Sequence, residues 1–154
     1  MSEKYQIDST DKKILSLLMN NARTPFLEVA RECGLSGAAI HQRVQKLEDA
    51  GYISGSHFTV NPIVAGLTTC AFIGIFLEKP TFYKSAVEEL KKIPEVTECH
   101  YTTGDFSTFV KIYCKDNADL TNILINKIQP IQGVARTETY VSLEQAIDRH
   151  IPIF

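Results

Sequence analysis

The amino-acid sequence predicts an α+β fold, with an N-terminal winged helix-turn-helix joined to a C-terminal ferredoxin-like βαββαβ domain. Three observations carry this. Apolar residues recur at helical spacing as far as Leu47, then switch to strand-like runs after Thr69. A very short Gly34-containing turn joins two of the early helical stretches. In the second half, turn residues divide strand-like and helix-like segments into the order β-α-β-β-α-β. The expected boundaries are a first domain over 1–62, a linker over 63–68 and a second domain over 69–154.

In the first domain, Asp8 or Ser9 can cap a helix, and Asp11 in its first turn favours the positive helix end. Ile7, Ile14, Leu15, Leu17 and Leu18 supply its apolar side, and Asn20-Asn21 ends it. Thr24-Pro25 opens a second helix, because the missing N–H of proline costs little in a first turn. Leu27, Val29, Ala30 and Cys33 face inward there, and Gly34 is a helix stop. Ser36 caps a third helix whose Ile40, Val44 and Leu47 form one apolar face, ended by Gly51. Tyr52 to Val60 has the character of a strand able to form a wing.

The third helix carries Ala38, Ala39, His41, Gln42, Gln45 and Lys46 on its other side, with Arg43 at the edge. Small alanines let a helix N-terminus approach a duplex. Glutamine can pair bidentately with adenine, and Arg43 or Lys46 can reach guanine or phosphate. A plain three-helix bundle with a solvated polar face fits the same periodicity.

In the second domain, Cys70 to Leu77 is apolar almost throughout, which predicts a strand buried on both faces. Pro80-Thr81 breaks it, Phe82 to Ile93 reads as a helix, and Pro94 stops that helix. Val96 to Thr103 and the alternating Thr108 to Cys114 read as strands around a Gly104-Asp105 turn. Ala118 to Ile128 is the second helix and Val134 to Leu143 the last strand. Helices on one face leave the other face of such a sheet to be covered. A second copy is the economical cover, so a symmetric dimer is expected.

Composition narrows the function. A net charge of −2 argues against a generic nucleic-acid coat. Residues 1–62 hold seven Lys and Arg against seven Asp and Glu, so any DNA binding must come from arrangement. The polar N-terminus has no signal-like apolar stretch and no run is long enough to span a bilayer, so a cytoplasmic location and no membrane partner are expected. Cys33, Cys70, Cys99 and Cys114 are scattered and read as small apolar residues, with no metal spacing. His41, His57, His100 and His150 lie far apart in sequence, and no catalytic grouping is visible, so no enzyme and no cofactor is expected.

At this point the chain resembles the Lrp/AsnC family of feast/famine regulators over nearly its whole length. The resemblance rests on Ile7-Asp8 with Asp11, Ile14 and Leu15; on Asn21-Ala22-Arg23-Thr24, Val29-Ala30 and Gly34-Leu35-Ser36; and on Arg43-Val44, Leu47-Glu48, Gly51 and Ile53. In the second half the family turn Gly-Asp-aromatic-Asp becomes Gly104-Asp105-Phe106-Ser107, with serine in place of the last acid. The stretches Tyr101 to Ser107 and Leu124 to Gln129 resemble the asparagine-responsive AsnC branch. The resemblance implies binding to double-stranded DNA, with Ser36, Ala38, Ala39, His41, Gln42, Arg43, Gln45 and Lys46 as the contact set. It also implies a small amino acid effector held between ferredoxin-like units, and dimers assembling further, commonly into octamers.

The expected effector set is Tyr101, Thr102, Gly104, Asp105, Phe106, Ser107, Gln129, Thr137 and Thr139. Backbone N–H groups around Gly104 can form an anion nest for a carboxylate, and Asp105 can face an ammonium. Ser107, Thr137, Thr139 and Gln129 suit a neutral amide, so asparagine is the favoured effector. Read without the resemblance, the same residues are a turn glycine, a capping aspartate and strand threonines. The effector is expected to act at a dimer–dimer contact by shifting the population of assemblies. Replacing Gln42 and Arg43 together with alanine is expected to abolish specific binding with the fold intact. The rival reading is an architectural protein that wraps DNA without an effector. The charge-neutral first domain weakens it, because such binding needs many cations.

Overall fold

The computed structural model describes residues 5–153. The chain divides into two compact units, one running to Thr59 and including the 147–153 tail, the other spanning Val60–Ala146.

The first unit contains α1 (Ser9–Asn20), α2 (Phe26–Cys33) and α3 (Gly37–Asp49). Asp8 caps α1 through a reciprocal capping box with Asp11, which satisfies two otherwise orphaned N–H groups. Gly34 ends α2 in the left-handed region at φ 66°, where its N–H reaches the carbonyls of Ala30 and Arg31. Ser36 then caps α3 by accepting from the Ala39 N–H. Ile14, Leu15, Val29, Ala30, Ile40, Val44 and Leu47 close one core. Ile153 of the tail packs on this core, and residues 147–153 group with this unit.

No strand directly follows α3: residues 53–68 carry neither helix nor strand. The expected wing strand over Tyr52 to Val60 is therefore not formed within the chain. A strand needs a partner for its N–H and C=O groups, and among the described residues no strand pairs with this segment.

The second unit contains β1 (Thr69–Leu77), a 3₁₀ turn (Pro80–Phe82), α4 (Tyr83–Leu90), β2 (Val96–Tyr101), β3 (Thr108–Cys114), α5 (Asn117–Ile123), a π turn (Leu124–Ile128) and β4 (Val134–Val141). The strands form one antiparallel sheet in the order β2-β3-β1-β4. This is the ferredoxin-like arrangement. Ala71, Ile73, Ile75, Val110, Ile112 and Cys114 pack against Ala86, Leu90, Leu120, Ile123 and Ile128 of the helical layer.

The expectation that β1 is buried on both faces is corrected. Its helix-facing Ala71, Ile73 and Ile75 are fully buried, while Phe72 and Phe76 on the other face are half-buried. Gly74 lies between those two rings and is buried because the Phe106 ring occupies the space a Cβ would need, 2.3 Å away. The open face of the sheet thus gains an aromatic cluster: Phe106 stacks on Phe109 and meets Phe76 and Tyr140 edge-on.

Candidate DNA-recognition and effector sites

The register of the first unit fixes what α3 displays. With Ile40, Val44 and Leu47 wholly or almost wholly buried, the opposite side shows Ala38, His41, Gln42, Gln45 and Lys46, all exposed, and half-buried Ala39. The His41 ring meets Phe26 edge-on at 4.5 Å, which orients it beside the start of α2. Gln45 donates to Asp49 Oδ1 at 3.0 Å. Among the described residues, Gln42 and Lys46 make no side-chain hydrogen bond. Ser36 is occupied at the helix cap.

Arg43 departs from the sequence expectation. Its guanidinium turns away from that face and bonds Asp11 Oδ1 at 2.7 Å and Asp8 Oδ2 at 2.8 Å. Asp11 is fully buried. Its second oxygen accepts from Tyr5 Oη at 2.8 Å and from the Asp8 N–H at 3.1 Å. The physical reason is charge balance. A buried carboxylate must be paired, and Arg43 is the cation within reach. The Arg43 guanidinium is thus engaged with Asp8 and Asp11 rather than displayed beside Gln42 and Lys46. Donating to the Asp11 and Asp8 carboxylates holds the Arg43 guanidinium firmly protonated. The Asp11 N–H and then Arg43 hold the Asp8 carboxyl below its ordinary range.

The effector residues do not converge within one chain. Thr137 and Thr139 pair with Ile75 and Ile73, so they share the helix-facing side of the sheet. Gln129 donates to Thr137 Oγ1 at 3.2 Å and stands with them. Tyr101 packs its ring on Tyr83 at the start of α4, ring centroids 4.4 Å apart. Phe106 lies on the opposite, open face against Gly74. Between these positions, Thr102 closes the turn: its hydroxyl donates to the Phe106 carbonyl and its N–H to the Ser107 carbonyl. Asp105 is exposed and Ser107 half-buried.

The expected anion nest around Gly104 does not draw on a left-handed glycine. Gly104 is exposed and its φ lies outside the left-handed region, so its backbone makes no demand that another residue could not meet. Among the described residues, no cluster of His, Cys, Asp and Glu is arranged to hold a metal. No helix among them is long and apolar enough to cross a membrane.

Comparison with known proteins bears on both units. An AsnC-type helix-turn-helix domain matches residues 7–48, and an Lrp/AsnC ligand-binding domain matches residues 70–152. The regulatory protein AsnC of Escherichia coli K12 is 44% identical over 149 residues, 97% of this chain and 98% of that one. The solved structure of E. coli AsnC superposes with a TM-score of 0.92, covering 96% of this chain and 99% of the other. The transcriptional regulator LrpA of Pyrococcus horikoshii is 35% identical over 139 residues, 90% of this chain and 98% of its own. A Neisseria meningitidis transcriptional regulator solved with L-Met shares the fold at a TM-score of 0.91 and 23% identity, covering 96% and 97% of the two chains.

The chain belongs to the Lrp/AsnC family. It is a transcriptional regulator with a helix-turn-helix and a ligand-binding domain, not an enzyme.

Within this Lrp/AsnC protein, sequence reading missed the ring of contacts around Asp11. Tyr52 Oη donates to the Tyr5 carbonyl at 3.1 Å, and the two rings meet edge-on. Lys13 of α1 donates to the Glu32 carbonyl near the end of α2. The signal was present in the Asp8-x-x-Asp11 spacing, which matches a capping box with an acid at its third position. Arg23 stacks its guanidinium over the Phe58 ring at 4.4 Å. That contact joins positions too far apart in sequence for periodicity to reveal.

Proposed function

We propose that this protein reads double-stranded DNA with the outer face of α3, and that binding of a small neutral amino acid, asparagine by preference, modulates this in an oligomer. The carrying observation is the division of labour in α3. Its apolar residues and Arg43 are committed inward, while Ser36, Ala38, Ala39, His41, Gln42, Gln45 and Lys46 line the remaining side. Glutamine side chains there suit adenine edges, and Lys46 suits phosphate or guanine.

The separation of the effector residues supports a shared pocket. Tyr101, Gln129, Thr137 and Thr139 on the helix side, with Thr102, Gly104, Asp105, Phe106 and Ser107 at the turn, offer partial coordination that a second copy would complete. Ser107, where an acid would add charge, supports a neutral ligand. Half-buried aromatics on the open sheet face support dimerisation through that face, with further assembly to an octamer. The location we propose is the cytoplasm.

A thermal-shift screen against the twenty amino acids tests the sensor role. A native-state ligand at about a hundred times its Kd adds about 2.7 kcal/mol of apparent stability. Asparagine is expected to raise Tm. A shift with another amino acid instead replaces the effector, and no shift with any of the twenty overturns amino-acid sensing.

A further inference from the structure

We infer that Arg43 is a positioning residue for DNA recognition, locking the orientation of α3 on α1 without touching the DNA. The inference rests on α3 being the recognition helix. Two carboxylates converge on one guanidinium nitrogen: Asp8 at the cap of α1 and Asp11 within its first turn, at 2.8 and 2.7 Å. Asp11 is held in turn by Tyr5 Oη and the Asp8 N–H, and the Asp8 carboxylate accepts the Asp11 N–H at 2.8 Å. The carboxylates are therefore fixed by the helix cap before Arg43 meets them. Arg43 sits between the apolar Ile40, Val44 and Leu47 row and the displayed face, midway along α3. A fork at that point restrains rotation of the helix about its own axis, which apolar contacts alone restrain weakly because they lack direction.

Arg43 and Lys46 are the Lys and Arg residues of α3, so with Arg43 committed, Lys46 is the cation the helix presents. Reading by α3 then falls to the amide donors and acceptors of Gln42 and Gln45, with the His41 ring beside them. Small rotations of the helix would displace all of them together.

The test uses the full-length protein and a duplex selected by the wild-type protein from a random DNA library. Affinity is measured against salt at a temperature well below Tm. Each phosphate contact contributes about 0.9 to the slope of log K against log salt. Arg43→Met is expected to weaken binding at least tenfold with that slope unchanged, and Arg43→Lys to restore part of the loss. Asp8→Asn keeps a good helix cap and removes one arm of the fork, so it is expected to weaken binding while folding is retained. If Arg43 touched DNA, Arg43→Met would lower the slope by about 0.9, and Asp8→Asn, by freeing a cation, would tighten binding. Either result overturns the inference, as does unchanged affinity in both variants. If Arg43→Met fails to fold, the direction of the Asp8→Asn effect decides alone. Gln42→Ala is the control for the underlying reading: unchanged affinity there means another surface contacts the DNA, whatever Arg43 does.

Discussion

Asp11 is a carboxylate buried in a helical bundle, and each of its contacts answers the cost of that burial. Tyr5, the Asp8 N–H and Arg43 together satisfy both oxygens. Removing it leaves Arg43 with Asp8 and water, so Asp11→Ala is expected to cost about 3 kcal/mol in denaturant unfolding. Asp8 adds a pH dependence whose sign is fixed by the direction of its shift. The Asp11 N–H and Arg43 hold its carboxyl below the unfolded value of 3.8. Its contribution is present above that value and is lost as pH falls through the folded one. Between about pH 5 and 2.5, Tm of the wild type should therefore fall more steeply than that of Asp8→Asn. In the second unit, Gly74 is set by the Phe106 ring. Gly74→Ala is expected to displace that ring and cost about 1–3 kcal/mol, read as a lower Tm. A fully retained Tm would mean the aromatic cluster moves aside without loss.

Elements were legible where their own residues decide them. The stops and caps of α2 and α3, Gly34 and Ser36, stand at the expected positions. Gly34 sits at φ 66° in open space, so Gly34→Ala should cost about 1–2 kcal/mol through backbone conformation alone. Thermal unfolding measures this, and an unchanged Tm would show that the turn relaxes. Elements that depend on a partner were not legible. Tyr52 to Val60 has strand character in the sequence, yet among the described residues no strand pairs with it. The second helix of the ferredoxin-like unit reaches Ile128 as periodicity suggests, but its last turn is a π turn, with the Gln129 N–H bonding the Leu124 carbonyl at 2.8 Å. A wider turn rotates the residues after it, and here Gln129 comes to lie beside Thr137. Apolar spacing does not distinguish an α turn from a π turn over so few residues.

For the whole molecule, the open sheet face carries a half-buried aromatic cluster. Phe72 and Phe109 stack at 5.9 Å, continuing the row made by Phe106 and Phe76. Around it run charged pairs, Lys111 with Glu98 at 3.1 Å and Arg136 with Glu138 at 2.6 Å. An apolar centre with a polar rim is the pattern of a protein interface. Phe109→Glu would place an unpaired charge at that centre, and it is expected to lower the mass seen by light scattering after gel filtration. An unchanged mass would move the interface elsewhere.

Periodicity, capping and turn chemistry were enough to establish the two-part α+β architecture, the helix-turn-helix and the turn carrying Asp105 and Phe106. These forces act between residues a few positions apart, so they can be read along the chain. The partner of each long side chain was settled in three dimensions. Packing turned Arg43 from the displayed face toward Asp8 and Asp11, and divided the effector residues between the two faces of one sheet. The reason is common to both. A guanidinium or a phenyl ring goes where burial leaves a charge unpaired or a space unfilled, and that depends on residues distant in sequence.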